Sequence, residues 1–124
     1  MTLRDDRGGT AAALELGAGP SDQIVAIFSF GRSEREIYVH TVRFQDAAGR
    51  VVRPRIVDHR PLSTSSSGEL VVAQLPDGEL DWLADASVMH VTLEGWDQSF
   101  DAMLDDRSLR KIRAFRDRRQ QSTP

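Results

Sequence analysis

The strongest constraint on the fold of this chain is a pair of strand-like segments joined by a tight-turn sequence. The first segment, Glu36–Gln45, alternates its side chains between two faces, with Ile37, Val39 and Thr41 on one and Tyr38, His40, Val42 and Phe44 on the other. Such alternation predicts a β-strand. Asp46–Gly49 predicts a hairpin turn in which glycine supplies the left-handed position. Val51–Val57 then returns, and Pro54 places it at a sheet edge because proline cannot donate a ladder hydrogen bond.

Other short segments that are apolar or alternate in polarity predict further strands. They are Gln23–Phe30, Glu69–Leu75, Ser87–Glu94 and Ser99–Leu104. The last of these is also compatible with the start of a helix, and Thr10–Leu16 fits either a short strand or one helical turn. Gly17–Asp22 is rich in residues that interrupt regular structure. The sequence leaves open whether residues 1–22 join the sheet.

Two segments have helical character. Glu79–Ala86 predicts one or two turns, since its apolar residues Leu80, Leu83 and Ala84 recur at helical spacing. Asp105 and Asp106 are good N-caps for a second helix over Arg107–Arg119, because a carboxylate satisfies free backbone N–H groups and suits the helix dipole. That helix has a narrow apolar stripe formed by Leu109, Ile112 and Phe115.

The order of these elements predicts an α+β fold. We expect a mainly antiparallel β-sheet with a short internal helix and a C-terminal amphipathic basic helix. A length of 124 residues is typical of one small domain covering residues 1–124. Residues 1–10 and 120–124 are polar and terminal, so we expect both ends to be flexible.

Charge is divided unevenly along the chain. Residues 107–124 contain seven basic residues and one acid, a formal charge of +6, whereas the whole chain carries −3. The first 106 residues therefore sum to −9. An acidic body that ends in a basic helix indicates a contact surface rather than a reaction.

The leading hypothesis is a non-enzymatic protein–protein interaction or assembly module: a complex subunit, an adaptor or an inhibitor. Its partner would be an acidic protein or a second copy of this chain. The candidate partner-binding residues are Arg107, Arg110, Lys111, Arg113, Arg116 and Trp96. This hypothesis predicts that changing Arg110, Arg113 and Arg116 together to Glu abolishes association and leaves the fold intact.

Two other functions fit parts of the sequence. The same basic helix could bind nucleic acid, although the acidic body makes this the weaker interpretation. A small hydrolase could use Asp58, His59 and a serine from residues 63–67. No GxSxG sequence accompanies those serines, and no strand–turn–helix context is predicted to hold a nucleophile there.

Motifs for catalysis, metals and cofactors are missing from the sequence. The chain has no cysteine, and His40, His59 and His90 do not form any common metal-binding spacing. We therefore predict no catalytic residues, no metal and no cofactor. No stretch approaches a membrane span, and Met1–Arg7 does not resemble a signal peptide. The expected location is the cytoplasm, unless a leader has been removed.

Overall fold

The computed structural model describes residues 1–4, 11–30, 38–61, 69–96 and 99–121, which form two antiparallel sheets and two helices. The first sheet has the spatial order β1-β2-β3-β7-β6. Its strands are β1 (Thr2–Arg4), β2 (Ala11–Ala18), β3 (Ile24–Phe30), β6 (Arg55–Pro61) and β7 (Glu69–Gln74). This arrangement confirms the predicted α+β class with mainly antiparallel pairing.

The second sheet has the spatial order β5-β4-β8-β9. Its strands are β4 (Thr41–Asp46), β5 (Val51–Val52), β8 (Met89–Glu94) and β9 (Ser99–Met103). The helices are α1 (Glu79–Asp85) and α2 (Asp106–Gln121), which correspond to the predicted internal and C-terminal helices.

The core lies between the two sheets. Phe28 of β3 and Phe44 of β4 are fully buried, and their ring centroids are 6.2 Å apart across the interior. Leu83 of α1 and Leu109 and Ile112 of α2 belong to the same buried cluster. Because apolar residues from both sheets and both helices share one cluster, the helices close the core at one end of the sandwich.

The predicted strand Val51–Val57 is divided between the two sheets at Pro54. Val51 and Val52 pair with β4, whereas Arg55 begins β6 and pairs with β7. β5 and β6 are each the last strand of their sheet, so the expected edge position is correct but the single strand is not. Proline donates no N–H, and the chain can therefore leave one ladder here and enter the other without stranding a donor.

The predicted hairpin turn at Asp46–Gly49 is present. Gly49 has a φ of +89° and donates its N–H to the Asp46 carbonyl over 3.1 Å. The Asp46 carboxylate accepts the Trp82 indole N–H at 2.8 Å and the Arg50 N–H at 2.9 Å. The bond from Trp82, more than that from Arg50, lowers the pKa of Asp46. This carboxylate therefore ties the turn to α1.

The expected alternation of Glu36–Gln45 does not extend over the whole segment. Residues 31–37 lie outside the described chain, and β4 begins only at Thr41. Val39 is buried, whereas Tyr38 and His40 are exposed. Tyr38 and His40 therefore do not share the buried face of Val42 and Phe44. Tyr38 has a φ of +55°, which breaks the strand geometry before β4.

The N-terminal segment joins the first sheet. Thr2–Arg4 pairs with Ala11–Ala13, and the side chain of Leu3 is buried. The expectation of a flexible segment over residues 1–10 therefore does not hold for Thr2–Arg4, because Leu3 contributes to the core; residues 5–10 lie outside the described chain. β2 also continues through Gly17 to Ala18, past the point where the sequence predicted a break.

The sandwich has two distinct ends. Both helices, the turn between β2 and β3, and the start of β8 lie at one end, where Leu104 donates its N–H to the Met89 carbonyl just before α2. We call this the helix end. The opposite end, which we call the loop end, holds the start of β7 at Glu69 and the residue Trp96 after β8.

The N-terminus of α2 is capped as predicted. The Asp105 carboxylate accepts the Ser108 N–H at 2.7 Å, and this bond to the backbone lowers the pKa of Asp105. The helix includes Gln120 and Gln121, which the sequence had assigned to a flexible end, while residues 122–124 lie outside the described chain.

Asp105 is expected to give the protein a specific sensitivity to acid. Because its pKa is lower in the folded than in the unfolded chain, its ionised form adds stability above the unfolded pKa of about 3.9, and that contribution is lost as pH falls through the folded pKa. Asp105→Asn keeps a good cap but does not titrate. We expect the variant to match the original protein in thermal unfolding at pH 7 and to lose less stability below pH ~4. Equal losses in acid would contradict this role.

Candidate partner-binding groove

Part of the basic charge of α2 is used inside the molecule. Arg113 donates to the carbonyl oxygens of Ala84 and Ala86, at 3.0 and 3.4 Å, where α1 ends. The last carbonyls of a helix have no partner within the helix, so Arg113 satisfies acceptors that α1 leaves open. Arg113 is therefore a structural contact between the two helices.

Arg116 has a similar internal role. Its guanidinium lies 2.5 Å from the Asp85 carboxylate of α1 and 3.0 Å from that of Asp117. These hydrogen bonds, with Asp85 as the larger cause, raise the pKa of Arg116. Arg119 continues the pattern, since it lies 3.1 Å from the carboxylate of Asp22 in the turn between β2 and β3. Substitutions at these arginines would disturb contacts within the protein as well as any binding to a partner.

The remaining basic residues of α2 point outward. Arg107, Lys111 and Arg118 are exposed and make no ion pair with any described residue. At about 100° per residue, these three side chains fall within about 40° of one another around the helix. Arg110 is also exposed but projects from the side between this face and Arg113. The helix thus has a structural basic face and an outward basic face.

A groove runs between the outward face of α2 and strand β2. Its volume is about 390 Å³, and it is lined by Met1, Leu14, Glu15, Leu16, Lys111, Ala114, Phe115 and Arg118. A second hollow of about 180 Å³, lined in part by Arg107, shares Met1 and Lys111 with it. We call the two together the β2–α2 groove. Its floor is apolar, and the helix supplies cations along one rim.

The acids near this groove are few. Glu15 is exposed at the strand side, and Asp105 lies at the start of α2, where it already caps the helix. The helix side contributes Arg107, Lys111 and Arg118. The net charge of the groove lining is therefore positive, in contrast to the acidic chain as a whole.

Trp96 lies far from this groove, although the sequence grouped it with the basic helix. It follows β8 at the loop end, and β9 then runs the length of the sheet before α2 begins. Five strand residues correspond to roughly 17 Å. Trp96 is 77% exposed and packs on the ring of His40, with centroids 5.1 Å apart. The structure does not bring Trp96 together with the arginines.

The residues of the hydrolase alternative do not form the expected pair. The Asp58 carboxylate bonds the Arg60 guanidinium, whereas His59 Nε2 lies 2.6 Å from the Glu69 carboxylate. Neighbouring strand residues point to opposite faces, which separates Asp58 from His59. Glu69 is 6% exposed and also accepts the N–H groups of Tyr38 and Val39, at 3.0 and 3.3 Å. Residues 63–67 lie outside the described chain.

Among the described residues there is no group of three or more His, Cys, Asp or Glu side chains that could hold a metal ion. Within that part of the chain, no helix combines the length and the apolar character needed to cross a membrane.

Known proteins add no functional information. No protein-family model matches the chain, and neither the curated proteins nor the solved structures contain a match.

The sequence indicates the α2 wall of this groove but not the β2 wall. The spacing of Arg107, Lys111 and Arg118 marks one helical face, and Arg118 could have been added to the candidates on that pattern. The contribution of Leu14 and Leu16 depends on which strand packs beside α2, and no local pattern carries that information.

Proposed function

We propose that this protein is a non-enzymatic protein–protein interaction module that binds an acidic part of its partner in the β2–α2 groove. The observation that carries the proposal is the separation of the basic residues of α2 into two sets. Arg113, Arg116 and Arg119 are satisfied by α1 and Asp22, whereas Lys111 and Arg118 border an apolar floor without an ion-pair partner among the described residues.

The groove has the composition of a protein interface. Apolar and aromatic surface from Leu16, Ala114 and Phe115 provides area that gains free energy when water is removed. Cations at the rim select an acidic partner and accelerate encounter more than they add affinity. The volume is also large enough for several side chains of a partner.

The same distribution makes nucleic acid the less favoured ligand. A nucleic-acid-binding helix neutralises several phosphates, and its affinity rises with the number of free cations. Arg113, Arg116 and Arg119 already face carboxylates or carbonyl oxygens of this chain. An apolar floor also matches side chains of a protein better than a phosphate backbone.

A charge reversal in the groove tests the proposal. In the double variant Lys111→Glu and Arg118→Glu, we expect partner capture from a lysate of the source cells to fall at least tenfold, since like charges then face the acidic partner. Partner capture by each bait is measured before and after nuclease treatment of the lysate. It is also measured with inorganic polyphosphate added as a competing polyanion. The retained proteins are identified by mass spectrometry, and the bait is also examined for self-association by sedimentation.

The matched control is Arg53→Glu with Arg55→Glu, which changes the formal charge equally at exposed positions next to Pro54. Trp96→Ala serves as a second control at the loop end. Both controls should capture the same partner as the original protein. Loss of capture after nuclease treatment would instead support nucleic acid, and equal capture by the groove variant would remove the groove from the interface.

A further inference from the structure

Among the described residues, the edge of β2 beside the groove is paired only as far as Leu14. The backbone of Leu14 exchanges hydrogen bonds with Met1, through Leu14 N–H to the Met1 carbonyl at 2.8 Å and the Met1 amino group to the Leu14 carbonyl at 2.9 Å. On the other side of β2, Gly19 donates to the Gln23 carbonyl at 2.7 Å. Even-numbered residues of β2 therefore direct their N–H and C=O groups away from β3, and odd-numbered residues direct theirs towards it.

Leu16 is the next even-numbered residue after Leu14. Its N–H and C=O consequently point to the side where β1 lies, but the pairing with β1 involves Ala11–Ala13, and Leu14 bonds Met1. Within the described residues, no backbone group of the chain pairs with Leu16 on that side. Unpaired N–H and C=O groups at a strand edge are a template for another strand.

This open edge faces the same groove as the outward side of α2. Leu16, Lys111, Phe115 and Arg118 all line it. A groove between a strand edge and a helix is suited to an extended peptide, because the edge supplies main-chain hydrogen bonds and the helix supplies side-chain contacts.

We propose that the partner binds as an extended acidic segment that adds a strand to β2 opposite Leu16. This inference rests on the proposed function, since it specifies how the acidic partner occupies the β2–α2 groove. The main-chain bonds to Leu16 would fix the position of the segment, and the cations of α2 would select its side chains.

The geometry also predicts a pattern in the partner. A residue paired with Leu16 directs its side chain to the same side of the sheet as Leu16, towards Ala114 and Phe115. The next residues on that side are two positions away in each direction, so they lie roughly 14 Å apart. Lys111 and Arg118 are separated by about 10 Å along α2. The preferred segment is therefore acid–x–apolar–x–acid, which places a carboxylate near each cation.

The test begins with a displayed library of random ten-residue peptides selected on the immobilised protein, with any affinity tag at the C-terminus. We expect the selected peptides to carry the acid–x–apolar–x–acid pattern. In the complex with one such synthetic peptide, the Leu16 amide should exchange with solvent at least tenfold more slowly, because it gains a hydrogen-bond acceptor.

A backbone scan of the same peptide distinguishes strand addition from side-chain docking. Peptides N-methylated at one position at a time should lose at least tenfold in affinity at alternate positions and much less at those between, since only alternate N–H groups of an added strand face β2. The protein itself remains unchanged in this experiment, so folding does not affect the result.

The outcomes separate this inference from the proposed function. If acidic peptides bind and Lys111→Glu with Arg118→Glu weakens them, but neither the alternation nor the protection of Leu16 is found, strand addition is wrong and the groove remains the interface. If no acidic peptide is selected, or if the double variant binds it equally well, both proposals are overturned.

Discussion

Replacing Ile112 by alanine is expected to lower the free energy of unfolding by about 3 kcal/mol. Ile112 is fully buried on α2 and belongs to the cluster that both sheets share. Alanine removes apolar contacts and leaves a cavity, while its higher helix propensity offsets only a few tenths of a kcal/mol. The loss should be measured by urea unfolding, monitored through tryptophan fluorescence.

Two neighbouring substitutions serve as controls for this experiment. Lys111→Ala changes an exposed side chain one residue away and should alter stability by less than about 0.5 kcal/mol. Ile112→Val keeps most of the volume and should cost about 1 kcal/mol. If Ile112→Ala were as stable as Lys111→Ala, α2 would not be part of the core, and the β2–α2 groove would lose its second wall.

Replacing Glu69 by alanine is also expected to destabilise the protein by about 3 kcal/mol. The carboxylate of Glu69 is almost completely buried and accepts the N–H groups of Tyr38 and Val39 as well as a contact from His59. Removing the carboxylate leaves these groups without their acceptor in a partly buried site, where water does not fully replace the lost hydrogen bonds. Thermal and urea unfolding at pH 7 measure the effect.

The partly exposed ion pair between Arg43 and Glu94 provides the comparison for Glu69. Its atoms are 3.0 Å apart, and the two side chains are 31% and 35% exposed. Glu94→Ala should therefore change the free energy of unfolding by less than about 1 kcal/mol. A loss at Glu69→Ala no larger than that at Glu94→Ala would mean that Glu69 does not hold the segment before β4 to the start of β7.

The role of Glu69 could not be inferred from the sequence, which connected His59 with Asp58. The sequence distance between Glu69 and Tyr38 is 31 residues, and nothing in either segment indicates that they meet. The exposure of Tyr38 and His40 was missed for a similar reason, since an alternating pattern assumes regular strand geometry and Tyr38 departs from it. Local patterns identify strands well only where the backbone remains regular.

The basic helix gives the clearest contrast between local and tertiary information. Its cap at Asp105 follows from short-range rules and is confirmed. Of the predicted apolar stripe, Leu109 and Ile112 are buried, whereas Phe115 is only partly buried and lines the groove. The separation of Arg113 and Arg116 from Lys111 and Arg118 depends instead on where α1 and β2 lie beside the helix. The triple substitution at Arg110, Arg113 and Arg116 would therefore disrupt contacts between helices, and the groove variant is the better test of association.

The sequence by itself determined most elements of this protein. Side-chain alternation, turn residues and helix caps act over a few residues, so they specify most of the strands, the hairpin turn at Gly49 and the two helices. Only the tertiary structure decided that the chain passes from one sheet to the other at Pro54, and that three arginines of α2 are satisfied internally. It also decided that Leu16, beside Lys111 and Arg118, has no backbone partner on one side among the described residues. Those features arise from contacts between residues far apart in the chain, whose geometry is fixed only when the two sheets and the helices pack around one core.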